Sequence, residues 1–385
     1  MERRIVHMDL DSFFVSVERL LNPQLANKAI IIGGSSDRGV VSSCSYEARK
    51  FGVHSAMPIK MAKQLCPDAI FIRGDMDNYS KFSNLVTQII EEKSPLFEKA
   101  SIDEHYIDIS GMDKYVIQSE IWTHELRELI IRETGLPISF GLSTNKTVSK
   151  VATGEAKPNG EKQVKEGAEK IFLAPLSIKK IPGIGDKTYT ILRNMGIEKV
   201  CTLQEMPKEM MQRAMGENGI HIWKKANGID GSPVSPYHEQ KSMSSETTFE
   251  KDTTDIQLLK KTLVLLIEDL AFQLRKSNRV SGCITLKLRY TDMQTHTFQQ
   301  KISYTSSDHV LLEKINELFD KNYSRRVLIR LIGVKLSHLV SGFHQINLFE
   351  DTEEKIKLYQ ALDKIRIRFG DKAILRSIGL PDKKK

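Results

Sequence analysis

The sequence predicts a multidomain protein of the α+β class, and three observations support this prediction. The chain has 385 residues, which by length corresponds to roughly two to three domains. Its strand and helix patterns follow an order that predicts a sheet with helices on one side. Residues 230–243 are polar, contain two prolines and lack apolar periodicity, so they predict a linker between domains.

The part of the chain before residue 165 carries the patterns that predict the first sheet. Apolar runs predict strands at 4–10, 29–33, 97–110 and 136–143. Helical periodicity predicts helices at 11–21, 77–93, 118–134 and 145–155. Residues 35–75 interrupt this order, and we expect them to form a small insertion.

Two further modules are predicted beyond residue 164. Residues 165–229 place glycine-rich turns, 181–185 and 216–219, between helical stretches, which indicates a compact helical module. After the linker, the patterns predict a strand, a helix, two strands, a helix and a strand, at 246–250, 255–276, 280–291, 295–304, 308–322 and 326–338. A last helix is predicted at 353–368, with Leu358, Leu362 and Ile365 in phase.

Charge and cysteine content limit the kinds of partner and the cellular compartment that we expect for the protein. The formal net charge of +8 makes a polyanion a reasonable partner, although many proteins with small-molecule substrates are also basic. The four cysteines lie far apart and fit neither a disulfide framework nor a zinc site, which suits a reducing compartment. No apolar run approaches the ~20 residues of a membrane span, and the first residues lack the apolar core of a signal peptide. We therefore expect a soluble, cytoplasmic protein.

Acidic residues at two strand-like segments form the most specific local feature. Asp9 lies at the end of an apolar strand, where a carboxylate is costly unless it is paired or bound to a cation. Asp103 and Glu104 interrupt the run 97–110, and they face the same site only if the strand bends or ends there, since neighbours on a strand point oppositely. Carboxylates converging from two strands would suit Mg²⁺. The alternative is that they cap turns.

Four motifs resemble those of the Y family of translesion DNA polymerases, in its DinB (DNA polymerase IV) branch. They are HMDLDSFFVSVE (7–18), SCSYEARKFGVHSAMP (43–58), SIDEHYIDIS (101–110) and NKTVSKVATGEAKPNG (145–160). The resemblance implies a right-hand polymerase with a ferredoxin-like palm (1–34 and 76–164), small fingers (35–75) and a helix-hairpin-helix thumb (165–229). The linker (230–243) would lead to an α+β little finger (244–340), and a clamp-binding peptide and tail helix would follow (341–385).

The same resemblance assigns residues in the active site. Asp9, Asp103 and Glu104 would be the catalytic carboxylates and, with the Leu10 carbonyl, the ligands of two Mg²⁺ ions. Asp11 matches an acid that the family does not use as a main ligand. The residues expected to bind the incoming nucleotide are Phe13, Phe14, Ser43, Tyr46, Arg49 and Lys157. Phe14 occupies the steric-gate position, where a ring would exclude a ribose hydroxyl; the alternative for both phenylalanines is core packing.

The sequence departs from the family pattern at two positions. His105 replaces the small residue that usually follows the Asp-Glu pair, and Ser43 replaces a more usual threonine. On a strand His105 would point away from Glu104, so we expect a packing or hydrogen-bonding role, with tuning of the metal site as the alternative. Ser43 keeps the hydroxyl, so this change should matter little.

Regions outside the palm carry the expected DNA and clamp contacts. The turn Ile181-Pro-Gly-Ile-Gly185 resembles a helix-hairpin-helix, in which glycines let backbone N–H groups approach a phosphate. Its expected DNA-binding residues are Pro182, Gly183, Gly185 and Lys187. Residues 241–344 contain 16 Lys and Arg against 11 Asp and Glu, which favours a phosphate backbone or an ordinary solvated face. The peptide Gln345-Ile-Asn-Leu348-Phe349 resembles the sequence that bacterial polymerases insert into the sliding clamp.

The function implied is template-directed DNA synthesis of the translesion type. The expected substrates are primer-template DNA and dNTPs, with low fidelity, no proofreading, recruitment by the clamp and a monomeric state. One alternative is a catalytically silent DNA- and clamp-binding scaffold with the same fold. A two-metal nuclease or a nucleotidyl cyclase on a similar palm is the other.

Overall fold

The computed structural model describes residues 3–34, 36–112, 119–237, 239–323, 327–342, 353–370, 373–374 and 376–377. The chain divides into two compact units, Met1–His238 and Glu239–Lys385, and the division falls inside the predicted linker. Both units combine helices with a sheet, so the α+β class is confirmed. Within the described ranges, the helices are all too short or too polar to cross a membrane.

The elements of the first unit follow the predicted order closely. In chain order they are β1 (Ile5–Leu10), α1 (Phe13–Leu21), β2 (Ile30–Gly33), β3 (Val41–Cys44), α2 (Tyr46–Arg49), α3 (Ile59–Leu65), β4 (Ile70–Ile72), α4 (Met76–Lys93), β5 (Phe97–Lys99), β6 (Glu104–Asp108), α5 (Ser119–Thr134), β7 (Ile138–Ser143), α6 (Lys146–Ala156), β8 (Glu161–Gln163), α7 (Glu169–Leu173), α8 (Asp186–Asn194), α9 (Val200–Glu205) and α10 (Lys208–Ala226). The predicted helices α1, α4, α5 and α6 agree with the structure to within two residues at each end.

A five-stranded sheet in the order β5-β6-β1-β7-β8 forms the centre of this unit. β1 pairs antiparallel with both β6 and β7, so it lies in the middle of the sheet, which explains its nearly continuous apolar sequence. Helix α6 lies close against β7, because Gly141 has no side chain: a Cβ there would lie 2.2 Å from the Ser149 carbonyl oxygen. This close approach brings α6 over the strands that carry the acidic residues.

The segment 97–110, predicted as one strand, is a hairpin of β5 and β6 instead. The hydroxyl of Ser101 accepts hydrogen bonds from the backbone N–H groups of Asp103 (3.3 Å) and Glu104 (3.1 Å). Such local side-chain bonds compete with the strand ladder and favour a turn. The turn places Asp103 immediately before the first residue of β6.

A second, three-stranded sheet in the order β3-β2-β4 includes the two strands of the inserted segment 35–75, β3 and β4. β2, which lies in the range 1–34 that we assigned to the palm, pairs with β3 and β4 of the insertion. The side chain of Ser45 links the sheet to α2, since its hydroxyl accepts from Ile30 N–H (3.0 Å) and from Ala48 N–H (3.3 Å). The insertion therefore shares its sheet with four residues of the preceding segment.

Residues 165–229 form the predicted helical module. The turn between the 3₁₀ segment Ile178–Lys180 and α8 contains Gly183 at φ +99°, a backbone conformation that L residues with a side chain rarely adopt. Gly216 interrupts α10 with φ +63° and ψ −147°, at the second predicted turn. An apolar core that includes Leu173, Leu192 and Ile222 holds these helices together and extends to Val151 of α6.

The second unit contains a four-stranded antiparallel sheet in the order β11-β10-β12-β9. Its elements in chain order are β9 (Ser242–Thr253), α11 (Ile256–Lys276), β10 (Arg279–Tyr290), β11 (Thr295–Thr305), α12 (Asp308–Asn322), β12 (Ile329–Ser341) and α13 (Glu353–Phe369). Helices α11 and α12 pack on one face of the sheet through a large apolar core. On β10, buried apolar residues alternate with the half-buried Thr285, Lys287 and Arg289, which lie on the opposite face.

The tail helix α13 covers the predicted range, but the apolar residues that predicted it are not its most buried residues. Leu358 is 55% exposed, whereas Tyr359 and Arg366 are buried. Polar contacts on the Tyr359 face explain this orientation: Arg275 of α11 donates to both carboxylate oxygens of Asp363, at 2.6 and 2.9 Å. The helix is thus held to the unit by charged groups.

Candidate active site

The carboxylates of Asp9 and Glu104 belong to directly paired residues on β1 and β6. β1 ends one residue after Asp9, and β6 begins at Glu104, so both lie at the same edge of the sheet. The Leu10 N–H donates to the carbonyl oxygen of Asp103 (3.0 Å), which fixes the hairpin turn against the end of β1. Because β6 begins at Glu104, Asp103 lies just outside the strand, and its side chain need not point away from that of Glu104. Asp103 lines the same pocket as Asp9.

The chemistry of these acids fits a divalent cation. Ligand atoms of His7, Asp9 and Glu104 lie within 4.8 Å of one another, a group that does not include Asp103. Burial raises the pKa of Asp9 to about 7 despite the ammonium of Lys157 beside it. Burial also opposes ionisation of Glu104, but the nearby His7 ring and the Lys150 ammonium, which donates to both carboxylate oxygens, outweigh it and lower the pKa. Carboxylate oxygens of this kind are the ligands that Mg²⁺ prefers.

Sequence reasoning assigned no role to His7, although a signal was present. His7 precedes Asp9 by two residues, so both side chains lie on the same face of β1. Its Nδ1 lies 2.8 Å from the Thr153 hydroxyl of α6, and its Nε2 lies 3.9 Å from Glu104. Burial lowers the pKa of His7 to about 4, so it is neutral near pH 7. His7 thus adds no charge beside Glu104, and its buried Nε2 has no hydrogen-bond partner among the described residues.

Asp11 has a different environment from Asp9. Its carboxylate is buried and accepts three hydrogen bonds, from the Tyr46 hydroxyl (3.2 Å), the Ser139 hydroxyl (2.7 Å) and the Asn159 N–H (2.7 Å). These donors come from α2, β7 and the loop after α6. The contacts of Asp11 are those of a structural acid that joins three segments around the site.

A polar cavity of about 220 Å³ adjoins the acidic residues. It is lined by Asp9, Leu10, Ser12, Phe13, Phe14, Ser42, Ser43, Arg49, Ser55, Asp103 and Lys157. The structure thus brings together most of the residues expected at the metal and nucleotide sites. Tyr46 lies beside the cavity, with the Arg49 guanidinium 4.7 Å from its ring centroid.

Three serines line the cavity that the sequence did not indicate as site residues: Ser12, Ser42 and Ser55. Ser12 has φ +43°, and its hydroxyl is buried with no hydrogen-bond partner among the described residues. Its place between Asp11 and two phenylalanines was the available signal, because a polar residue there interrupts an apolar run. Ser42 and Ser55 lie in short polar segments that give no such signal.

The two phenylalanines of the first motif have different surroundings. Phe13 is 2% exposed and packs in the core of the five-stranded sheet, and it also lines the cavity. Phe14 is half-buried, and its ring stacks on Tyr79 with 4.2 Å between centroids and an angle of 11°. Tyr79 is itself fixed by donating to Glu18 (2.6 Å). Phe14 is therefore a rigid part of the cavity wall.

His105 points away from Glu104, as its position on β6 predicted. It is fully buried, and its Nε2 lies 3.0 Å from the Thr87 hydroxyl of α4. Burial, helped by the charge of Lys99, lowers the pKa of His105 to about 3. The residue is a neutral, hydrogen-bonded part of the packing between sheet and helix.

We predict that His105→Leu makes the first unit less sensitive to acid. The folded-state pKa of about 3 lies below the usual 6.5, so the unfolded state binds more protons and stability falls as pH drops below about 6.5. Between pH 7 and pH 5 this costs about 2 kcal/mol, which the variant should not lose. Urea unfolding followed by tryptophan fluorescence measures the difference, since both tryptophans, Trp122 and Trp223, lie in the first unit. His54→Leu, at an exposed histidine, is the control, and equal acid sensitivity of His105→Leu and wild type would refute the prediction.

A second groove, of about 420 Å³, lies in the first unit between helix α6 and the turn that precedes α8. Four lysines line it, Lys150, Lys157, Lys179 and Lys180, together with Pro182 and Gly183 of the predicted DNA-binding turn. The Lys225 ammonium donates to the Pro182 carbonyl (3.0 Å) and holds this turn in place. Gly185 is the N-cap of α8, and Lys187 is exposed on its first turn, both outside the groove wall.

The predicted clamp-binding residues Gln345, Leu348 and Phe349 lie outside the described residues.

Comparison with known proteins agrees with this geometry. Residues 8–154 match the model of the impB/mucB/samB family, and residues 240–348 match the model of its C-terminal domain. A DNA polymerase IV of Dehalococcoides mccartyi strain CBDB1 is 37% identical over 374 residues, which covers 96% of this chain and 95% of that protein. A DNA polymerase IV of Treponema denticola is 34% identical and covers 100% and 98%, respectively.

The solved structures give the same result. A Y-family DNA polymerase chimera superimposes with a TM-score of 0.77 at 26% identity, covering 88% of this chain and all of that chain. A palm-type sheet with paired acids at one edge, followed by a helical module and a second α+β unit, thus defines a polymerase of the right-hand class. The chain belongs to the Y family of DNA polymerases, in the DinB branch.

Proposed function

We propose that this Y-family polymerase extends a primer on a DNA template, by attack of the primer 3′-hydroxyl on the α-phosphate of a dNTP. The observation that carries the proposal is the pairing of Asp9 and Glu104 across β1 and β6, at the edge of a cavity that also contains Arg49 and Lys157. Asp9, Asp103, Glu104 and the Leu10 carbonyl would hold two Mg²⁺ ions, which activate the 3′-hydroxyl and stabilise the leaving pyrophosphate.

The residues around the cavity supply positioning and charge. The Arg49 guanidinium can bind phosphate oxygens in a bidentate manner, and the Lys157 ammonium adds a point charge. The hydroxyls of Ser43 and Tyr46 would donate further hydrogen bonds to the triphosphate. Phosphoryl transfer needs little covalent chemistry from the protein, so these contacts would provide most of the catalysis.

Two surfaces suit the phosphate backbone of DNA. In the first unit, the groove lined by Lys150, Lys179 and Lys180 ends at the Gly183 turn, whose backbone can approach a phosphate closely. In the second unit, the face of the sheet opposite α11 and α12 carries Lys287 and Arg289. Contacts of this kind read no base sequence, as a polymerase requires. We further propose that the protein acts as a monomer in the cytoplasm.

We also propose low fidelity, absence of proofreading and tolerance of damaged templates. The size of the expected fingers, residues 35–75, supports this, since that segment contains the strands β3 and β4 and the short helices α2 and α3. So small an element can enclose the nascent base pair only loosely.

Primer extension on undamaged and abasic templates tests the proposal. Short products that depend on template, dNTPs and Mg²⁺, with misinsertion and some passage beyond the abasic site, are expected. A complete stop at the lesion without misinsertion would contradict the translesion part. No incorporation by a folded, DNA-binding protein would indicate the silent scaffold instead.

The steric gate gives a sharper prediction. Phe14→Ala should lower discrimination against ribonucleotides by about 10- to 200-fold, since it removes the rigid ring that would contact a ribose 2′-hydroxyl. Single-nucleotide incorporation with matched rNTP and dNTP gives the ratio of kcat/KM values. Phe14→Tyr keeps the ring and serves as the control. Unchanged sugar discrimination in Phe14→Ala would assign the residue to core packing.

Recruitment by a sliding clamp is the final part of the proposal. Leu348 and Phe349 are adjacent apolar residues in a polar and acidic context, a short pair suited to a hydrophobic pocket on a partner. Replacing both with alanine should abolish clamp-stimulated synthesis while basal extension stays at the wild-type level. Processivity assays with and without a bacterial clamp measure this, and equal stimulation of the double variant would refute the peptide's role.

A further inference from the structure

Helix α6 and its C-terminal end direct three lysines toward carboxylates of the central sheet. Lys146 lies 2.7 Å from both carboxylate oxygens of Glu98, and Lys150 lies 2.5 Å from both oxygens of Glu104. Lys146 and Lys150 are four residues apart and share one face of the helix. Lys157, the C-cap residue of α6, contacts Asp9.

Two of these three pairs involve the carboxylates expected to bind metal. Asp9 and Glu104 are neighbours across β1 and β6 with Asp103 close by, so without cations they would repel one another. The two ammonium groups neutralise them. However, with the Lys150 ammonium within 2.5 Å of both oxygens of Glu104, no space remains for a divalent cation at the same oxygens. Metal and ammonium must therefore compete for this carboxylate.

We propose that Lys150 occupies a cation position of the metal-free protein, and that divalent metal displaces it. The inference rests on the proposed metal-dependent function. Lys150 also lines the basic groove beside Lys179, Lys180 and the Gly183 turn, and its side chain is one-third exposed, so a displaced ammonium has space to turn into that groove. Metal binding thereby adds a positive charge to the surface proposed to bind the DNA backbone.

Lys157 has a different position in this scheme. It contacts Asp9 and lies 3.8 Å from Asp11, whose carboxylate stays in place through its three hydrogen-bond donors. When Lys157 leaves Asp9 for a triphosphate, Asp11 remains as a second anion nearby. Lys150 has Glu104 as its ion-pair partner. Displacement of Lys150 is therefore easier to interpret than displacement of Lys157, which has two carboxylates nearby.

The first experiment labels the wild-type protein with an amine-reactive ester and quantifies each lysine by mass spectrometry, in EDTA and in Ca²⁺. Labelling of Lys150 should rise at least about fivefold when Ca²⁺ is added, because the ion pair that protects it is broken. Lys146 is the internal control, since its partner Glu98 is not an expected metal ligand, and its labelling should not change. Unchanged labelling of Lys150 in a protein that binds metal would overturn the proposal.

The second experiment measures Mn²⁺ affinity by titration calorimetry. Lys150→Met should bind Mn²⁺ at least about fivefold more tightly than wild type, because a competing cation is gone. Lys146→Met should bind as wild type does. Weaker or equal binding by Lys150→Met would overturn the proposal, as it would make Lys150 a support of the site and not a competitor. Absence of Mn²⁺ binding by wild type would instead refute the metal-dependent function itself.

Discussion

Glu104→Gln is expected to reduce the rate of primer extension by at least about 10³-fold while the protein stays folded. Removal of one group that stabilises developing charge typically costs 10²–10³ in rate, and Glu104 would in addition be a metal ligand. The amide is nearly isosteric with the carboxylate and lies at the first residue of β6, so the sheet should be kept. Single-turnover extension in Mg²⁺ gives the rate, and thermal unfolding checks the fold.

Asp108→Asn is the matched control for this variant. Asp108 lies at the other end of the same strand, where its carboxylate accepts a hydrogen bond from the Ser110 N–H (2.9 Å). Its replacement should leave the rate within about twofold of wild type, as expected for a change away from the reacting groups. Near-normal activity in Glu104→Gln would exclude Glu104 from the metal site and with it the proposed arrangement of acids.

The α+β class and the order of elements could be predicted because long periodic segments dominate both units. The helices α1, α4, α5 and α6 have apolar residues at helical spacing, and β10 alternates apolar and polar residues. The hairpin at Asp103 was harder, since 97–110 has strand character throughout. A single hydroxyl, Ser101, makes the turn, and its bonds to the following N–H groups are local contacts that periodicity does not detect.

The acids of the site could be found from the sequence, but their partners could not. Asp9 and Glu104 stand out as charges in apolar runs. By contrast, Lys150 and Lys157 look like ordinary surface lysines until the helix that carries them is placed over the sheet. Long-range pairs of this kind depend on tertiary packing, here on the close contact that Gly141 permits between α6 and β7.

In the second unit, the orientation of the tail helix α13 also depends on long-range contacts that the sequence does not reveal. The sequence shows its apolar residues Leu358, Leu362 and Ile365 in phase, whereas the buried residues of the helix are Tyr359 and Arg366. The hydroxyl of Tyr359 lies 2.9 Å from His309 Nδ1, and Arg275 lies over its ring. Burial of apolar surface is the usual guide to helix orientation, and it fails where several charged groups have bidentate partners nearby.

Arg275→Met is expected to destabilise the second unit by about 3–5 kcal/mol, because it removes the closest cation from the buried carboxylate of Asp308, which keeps only Arg376 at 3.9 Å. Arg275 donates to Asp308 (2.5 Å), whose side chain is only 3% exposed, and to both oxygens of Asp363 of α13. Methionine keeps the apolar stem but cannot donate these bonds. The loss should be largest in α13, since Asp363 is then no longer anchored to α11.

Hydrogen exchange with mass spectrometry is the suitable measurement, because both tryptophans, Trp122 and Trp223, lie in the first unit and do not report on the second. Amides of α13 and α11 should exchange about 10²- to 4 × 10³-fold faster in Arg275→Met, as the free-energy change requires. Lys276→Met, at the exposed neighbouring position on α11, should exchange as wild type does. Equal protection of α13 in Arg275→Met and wild type would mean that the apolar contacts of the tail, and not the ion pairs of Arg275, hold it in place.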